Sequence, residues 1–300
     1  QSKASGSVNP TGSDSPSIAS SNFRAVFEDH PSYNAPIKLM IKFLKNHPLF
    51  GPFDAFTEIV PISTLFKCAF SAYRPLQNHE EVHPHLMNDA LVILTKEKFL
   101  RSINLLVHPS IKFFSPSMAD ITASLYQMGY QKRIKGIGEF KKNQLPVVWQ
   151  YVCHFIIRSL SGRTGGTDNM GLKLLELVWS IFTGHDVNYG QILWDDFLQY
   201  IPKEHRKENP TELTFARFWS LCILDLHADA DIPMGNDTNL FATKDLKRYN
   251  PSSDQTLFGP IRRLPTHILS TLGPKTADVS DHIEATEGIA PYPSTPPLPS

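Results

Sequence analysis

The chain has 300 residues, enough for one large domain or two small ones, and 41% are hydrophobic, which suffices to bury a sizeable core. Lysine plus arginine equals aspartate plus glutamate at 29 each, so no net field steers the whole chain to nucleic acid or an anionic membrane. Cys68, Cys153 and Cys222 lie in apolar patterns without a C-x-x-C pair, which favours reduced thiols in an intracellular protein of the cytoplasm or nucleus.

The sequence contains no run of about 18 apolar residues and no signal peptide, so no membrane partner is expected. The first residue is Gln1 rather than Met, which leaves open a longer parent protein with its own leader. Residues 1–22 include eight serines, and five of the last ten residues are proline. Because such segments bury too little surface to offset their ordering entropy, we predict disordered tails over 1–22 and 274–300.

Residues 23–130 are predicted to form an N-terminal helical lobe. Its first helix starts at the cap Asn34 and stops at residues 46–48, and Phe53 and Phe56 are spaced for one helix face. Further helices start at Pro61, at the cap Thr95 and at residues 115–116, where serine takes the cap and proline the first position, and Gly129 ends the last. Residues 90–94 fit a buried strand or the start of a helix, and residues 111–114 fit a short strand.

Residues 131–144 are interpreted as a basic linker, and residues 145–273 as a central helical lobe. Its four helices are predicted from Pro146 to Ser161, from Thr167 or Asp168 to Gly184, from Asn188 to Ile201, and from the cap Asn209 through Pro210 and Glu212 to Leu226. A short helix is predicted over Thr266–Leu272. The predicted fold class is mainly α, a multi-helix globular domain with at most a few short strands.

A basic patch is the strongest functional candidate. Five of the eleven residues 132–142 are cationic, namely Lys132, Arg133, Lys135, Lys141 and Lys142. Tyr126, Tyr130 and Phe140 lie nearby, and basic residues interleaved with aromatic ones are typical of surfaces that bind RNA or single-stranded nucleic acid. The alternative is a solvated linker.

Four further candidates have simpler interpretations. His79, His83 and His85 with Glu80 and Glu81 form a loose group in a polar loop, where a solvated loop is favoured over a metal site. Residues 225–231 alternate acids with His227 and fit a charged helix end better than a magnesium site. The glycine-rich loop 162–168 lacks the lysine of a P-loop. Cys153 and His154 are adjacent on a helix and therefore do not face each other. No catalytic residue, metal or cofactor is predicted.

Several strings in the chain resemble proteins encoded by plant long-terminal-repeat retrotransposons, of the gag-like and envelope-like kind. They are Leu145-Pro-Val-Val-Trp149, Ser161-Gly-Arg-Thr-Gly-Gly-Thr-Asp-Asn169, Trp179-Ser-Ile-Phe-Thr-Gly184, Val187-Asn-Tyr-Gly-Gln-Ile192 and Leu240-Phe-Ala-Thr-Lys-Asp-Leu-Lys-Arg-Tyr249. The resemblance covers roughly residues 90–270 and carries no catalytic residues. The protease, reverse transcriptase, RNase H and integrase motifs of such elements are missing from this sequence.

The resemblance and the missing motifs favour a non-catalytic structural module that self-associates as a homo-oligomer or binds a partner. The alternative is a gag-like module that binds nucleic acid through the 132–142 patch. A metal-dependent enzyme, resting on the acids near Asp229, is the third and weakest hypothesis.

Overall fold

The computed structural model describes residues 16–243, except 32, 79, 106–110, 167, 205–209 and 237, together with residues 264–270. This part of the chain contains two short strands, β1 (Ser17–Ile18) and β2 (Glu212–Leu213), which pair in parallel. Its helices are α1 (Ala35–Lys45), α2 (Phe50–Asp54), α3 (Ile62–Ser71), α4 (Lys96–Ser102), α5 (Met118–Met128), α6 (Val147–Phe155), α7 (Leu172–Thr183), α8 (Tyr189–Leu198), α9 (Ala216–Ala230) and α10 (Thr266–Ser270). The prediction of a mainly α fold with a few short strands is confirmed.

One hydrophobic core runs through both predicted lobes. The Phe99 ring of α4 lies 4.8 Å from the ring of Phe197 on α8 and 5.7 Å from that of Phe218 on α9. Phe27 stacks at 4.8 Å on Phe155 at the end of α6. Helix α5 likewise packs on α7, and α1 on α6. The helices before residue 131 are therefore built into the same core as those after residue 145.

Several helix ends are where the sequence predicts them. The side chains of Asn34, Thr95 and Asn188 each accept a hydrogen bond from the backbone N–H three residues further on. Gly129 and Gly184 end α5 and α7 with φ angles of 102° and 75°, which a residue without Cβ adopts at little cost. Helix α6 continues as a π-helical turn, Ile156–Leu160, to the predicted end at residue 161.

The prediction that Ser115 caps α5 is wrong, because Ser117 takes that position. The Ser117 hydroxyl accepts a hydrogen bond from the N–H of Asp120, and the Asp120 carboxylate accepts one from the N–H of Ser117. This reciprocal pair satisfies two amides that the helix leaves free. The acid three residues after Ser117 decides the start of the helix.

The start predicted for α7 is also wrong. The helix begins at Leu172 with Gly171 as its cap, whereas Asp168 lies in the preceding loop and residue 167 is outside the described residues. The backbone carbonyl of Asp168 accepts a hydrogen bond from the N–H of Lys142 at 2.8 Å. This contact holds the loop to the segment before α6 and delays the helix.

Helix α9 starts later than predicted. Glu212 lies in β2 rather than in a first helical turn, and Asn209 is outside the described residues. Phe215 precedes the helix with a φ of 55°, and the side chain of Asn22 accepts the N–H of Phe218 at 2.9 Å. A residue distant in the chain therefore provides the cap.

Order begins before the predicted residue 23. The N–H of Ser17 donates to the carbonyl of Thr211 at 2.9 Å, and Ser21 and Asn22 are buried. Residues 16–22 are therefore packed against the start of α9. The rest of the predicted N-terminal tail and the whole predicted C-terminal tail lie outside the described residues.

The remaining differences concern short segments. Helix α2 ends before Phe56, which is exposed, so Phe53 and Phe56 do not share a helix face. Residues 90–94 are extended, since Leu94 pairs antiparallel with Val82. In the segment 111–114, Phe114 makes a single parallel bridge to residue 187. The C-terminal end of α8 lies a few residues before the predicted one. Residues 271 and 272 of the last predicted helix lie outside the described residues.

Candidate functional site

The predicted basic patch divides into an exposed part and a buried part. Lys132, Arg133, Lys135 and Lys141 are exposed on the connection between α5 and α6. Lys142 is only 7% exposed, and its Nζ lies 3.8 Å from a carboxylate oxygen of Asp168. The prediction that all five cations form one accessible surface is therefore wrong for Lys142, because it packs beneath the loop.

Two tyrosines hold this connection in place. The Tyr126 hydroxyl accepts a hydrogen bond from the backbone N–H of Ile134 at 2.8 Å. The Tyr130 hydroxyl accepts one from the backbone N–H of Lys141 at 2.9 Å. Burial raises the pKa of Tyr130 above its ordinary value, so the hydroxyl stays neutral. The exposed cations thus lie on a fixed loop rather than on a free linker.

Two of the three aromatic residues near the patch, Tyr130 and Phe140, do not provide a stacking surface. Tyr130 and Phe140 stack on each other with ring centroids 5.5 Å apart and are 6% and 0% exposed. A nucleic-acid base needs an accessible ring face to stack on. Tyr130 and Phe140 therefore do not interleave with the basic side chains at the surface. The exposed cations can instead bind the phosphate groups of a nucleic acid.

Beneath the loop, the charge of Lys142, which lies just before α6, acts on His154 of that helix. Burial, together with the charges of Lys142 and Arg158, lowers the pKa of His154 from 6.5 to about 4. Burial also raises the pKa of Cys153 to about 12. A neutral imidazole beside a protonated thiol is inert, as expected for adjacent residues that do not face each other.

The acids at the end of α9 are engaged by cations of α4. Asp229 accepts a hydrogen bond from Arg101 at 2.9 Å, which together with nearby Lys98 lowers the pKa of the Asp229 carboxyl. Asp225 accepts a 2.6 Å hydrogen bond from the Ser102 hydroxyl. These contacts tie two helices together, so the predicted charged helix end describes the carboxylates better than a magnesium site does.

The histidine loop is also internally bonded. His83 Nε2 lies 3.0 Å from a carboxylate oxygen of Glu81, and the N–H of His85 donates to the Ser71 hydroxyl at 2.9 Å. His79 is outside the described residues. In the part of the chain that the structure describes, no three metal-binding side chains converge.

The glycine-rich loop faces a carboxylate rather than an open anion site. The N–H of Gly162 donates to a carboxylate oxygen of Asp196 at 3.3 Å, and Arg163 donates to the carbonyl of Asn169 at 2.7 Å. Burial raises the pKa of Asp196 above its ordinary value. The negative charge of Asp196 opposes a bound phosphate, so the loop serves as a connection between α6 and α7.

Sequence reasoning missed an exposed apolar segment. Leu91 is 49% and Ile93 is 43% exposed, although both belong to the apolar run 90–94, which fits a buried strand or the start of a helix in the sequence. The backbone of this run pairs with residues 82–85, and only Leu94 of its last four residues is buried. Side chains alternate between the two faces of an extended strand, so Leu91 and Ile93 lie on the same face. This alternation could be used to predict their exposure only if the run were known to be extended.

A comparison with protein-family models, with curated proteins and with solved structures finds no match to this chain. In the described residues no helix is both long enough and apolar enough to cross a bilayer.

Proposed function

We propose that this protein is a non-catalytic, retroelement-derived helical module that acts by association with a second copy of itself or with a protein partner. The observation that carries the proposal is the pair Leu91 and Ile93, two large apolar side chains exposed on one face of an extended segment. Because water penalises exposed apolar surface, clustered side chains of this kind are a frequent mark of protein–protein interfaces.

The chemistry of the other candidate groups supports a non-catalytic role. The thiols of Cys68 and Cys153 have pKa values raised to about 12 by burial, which makes them poor nucleophiles at neutral pH. The carboxylate of Asp229 is satisfied by Arg101 and Lys98. The burial of the two thiols and the ion pairs of Asp229 explain the presence of these groups without a catalytic role.

The experiment measures mass against concentration by size-exclusion chromatography with light scattering. We expect a mass above the 33.8 kDa of one chain at high concentration, and an increase of about tenfold or more in the dissociation constant when Leu91 and Ile93 are both changed to lysine. The matched control changes Leu172 and Leu240, which are also exposed, to lysine. A strict monomer at every concentration, or equal effects of the two double variants, contradicts self-association through this face.

Nucleic-acid binding is the second candidate, and the fixed loop with its exposed cations favours it. Lys132, Arg133, Lys135 and Lys141 point into solvent from a backbone that two tyrosines hold. Each phosphate neutralised on a single strand contributes about −0.7 to the slope of log K against log salt. We therefore expect binding to single-stranded RNA with a steep salt dependence.

The test compares two triple variants by fluorescence anisotropy at several salt concentrations. Replacing Lys132, Arg133 and Lys135 with glutamine should reduce the slope by about 2, from three phosphate contacts. The control replaces three exposed lysines outside the loop, Lys42, Lys45 and Lys112. Equal losses in both variants indicate a general charge effect, and unchanged binding in the first excludes this loop as the nucleic-acid site.

A further inference from the structure

A cavity of about 410 Å³ lies at the start of α9, between the N-terminal segment and α3. This volume is within the range of small-molecule sites, about 300–1,000 Å³. Its walls are mostly apolar and come from segments far apart in sequence, among them Ile18, Phe23, Ile62, Phe66 and Phe241. The charged residue in its lining is Arg217.

Arg217 is a buried cation whose direct partners are neutral. It is 1% exposed, and its guanidinium donates to the backbone carbonyls of Asn22 at 3.1 Å, Ala55 at 2.5 Å and Ser159 at 2.8 Å. Buried charges in proteins are normally matched by an opposite charge. Carbonyl dipoles orient this guanidinium, but they leave its net charge in place.

Asp54, the acid whose charge acts on Arg217, does not neutralise that charge. Asp54 forms an ion pair with Arg24 at 2.9 Å, so its field at Arg217 is opposed by the field of Arg24. Burial consequently lowers the pKa of Arg217 to about 9. Because Arg24 and Asp54 neutralise each other, Arg217 keeps one positive charge in the lining of the cavity.

The first turn of α9 adds to this positive field. Ala216 and Arg217 are the first two residues of the helix and both line the cavity. Phe215, the residue at the cap position, provides no side-chain acceptor, and Asn22, which also lines the cavity, accepts the N–H of Phe218. The backbone N–H groups at a helix N-terminus carry a partial positive charge that favours an anion nearby.

We propose that this cavity binds a small organic anion, with one carboxylate or sulfonate beside Arg217 and an apolar body against the aromatic and aliphatic walls. The single net positive charge selects one negative charge on the ligand, and the walls select an apolar body over a strongly hydrated inorganic ion. The proposed site is separate from both the Leu91–Ile93 face and the basic loop, and it does not depend on the function proposed for either.

The test uses isothermal titration calorimetry on the full chain with three ligands of equal length: octanoate, 1-octanol and octylammonium. Replacing Arg217 would leave three backbone carbonyls without a donor and endanger the fold, so the charge is varied on the ligand instead. We expect octanoate to bind at one site, with an affinity about tenfold or more above those of the neutral and cationic ligands.

A pair of variants locates the site. Ala242→Trp places a large ring at an exposed position of the lining, and Ser63→Trp places the same ring at an exposed α3 position outside the lining. We expect Ala242→Trp to lose at least tenfold in octanoate affinity and Ser63→Trp to bind as the unchanged protein does. The proposal is overturned by absence of octanoate binding at millimolar concentration, by equal binding of octylammonium or 1-octanol, or by full octanoate binding in Ala242→Trp.

Discussion

Acid should destabilise this protein through His154, because the folded state holds that imidazole neutral. The ring is partly buried in α6, and two cations, Lys142 and Arg158, act on it. Burial and these charges together lower its pKa from 6.5 to about 4. His154 therefore binds a proton more weakly in the folded state than in the unfolded chain.

The sign and size of the effect follow from linkage. Between pH 6.5 and pH 4 the unfolded state binds more protons at this residue than the folded state, so the free energy of unfolding falls as the pH is lowered. At pH 5, the contribution of His154 amounts to a loss of about 2 kcal/mol relative to neutral pH. Well below pH 4 it reaches its limit of about 3 kcal/mol.

The assay is urea unfolding followed by circular dichroism at pH 7 and pH 5. The variant His154→Gln cannot take up the proton, so its loss of stability between the two pH values should be smaller by about 2 kcal/mol than that of the unchanged protein. His185→Gln, at an exposed histidine, is the matched control. If His154→Gln and the unchanged protein lose the same free energy on acidification, the electrostatic account of this helix is incorrect.

Three further predictions concern stability, each measured by urea unfolding. Phe99→Ala removes a fully buried ring from the contact of three helices and should cost about 3–5 kcal/mol; a cost below about 1 kcal/mol would contradict a shared core. Ser117→Ala should cost about 1 kcal/mol and Ser115→Ala nothing measurable, because Ser117 caps α5. A larger loss of stability in Ser115→Ala would show that the helix starts at Ser115, as the sequence predicts. Gly162→Ala should cost about 1–3 kcal/mol, since its methyl group would collide with the ring of Phe215, and unchanged stability would refute that collision.

Features that depend on residues three or four apart were predictable. The caps Asn34, Thr95 and Asn188 and the terminating residues Gly129 and Gly184 are found where the sequence places them. Each cap depends on a side chain and a backbone N–H within one helical turn, and each glycine end depends on a local φ. Such contacts form with nearly the same geometry in any fold.

Helix starts that depend on hydrogen bonds to distant residues were not predictable. Helix α9 begins at Ala216 rather than at Pro210, because β2 pairs with β1 and the side chain of Asn22 accepts a hydrogen bond from the N–H of Phe218 across a separation of 196 residues. Asp168 is unavailable as a helix cap because its loop is bonded to Lys142. A local propensity is outweighed wherever a distant segment supplies a better partner.

In the candidate sites, too, local features were predictable and features that depend on distant residues were not. The composition of residues 132–142 identifies a basic segment, but only the packed structure separates exposed Lys132 from buried Lys142. Leu91 belongs to an apolar run and yet lies at the surface, whereas the cation Arg217 lies buried against three backbone carbonyls.

The sequence by itself determined the helical class, most of the helix positions and the inventory of charged and apolar groups, because helical periodicity and capping act over a few residues. Tertiary structure decided which of those groups are accessible, paired or enclosed. The accessibility of a side chain depends on what packs over it. For Arg217 the covering atoms come from residues 22, 55 and 159, which no local pattern brings together.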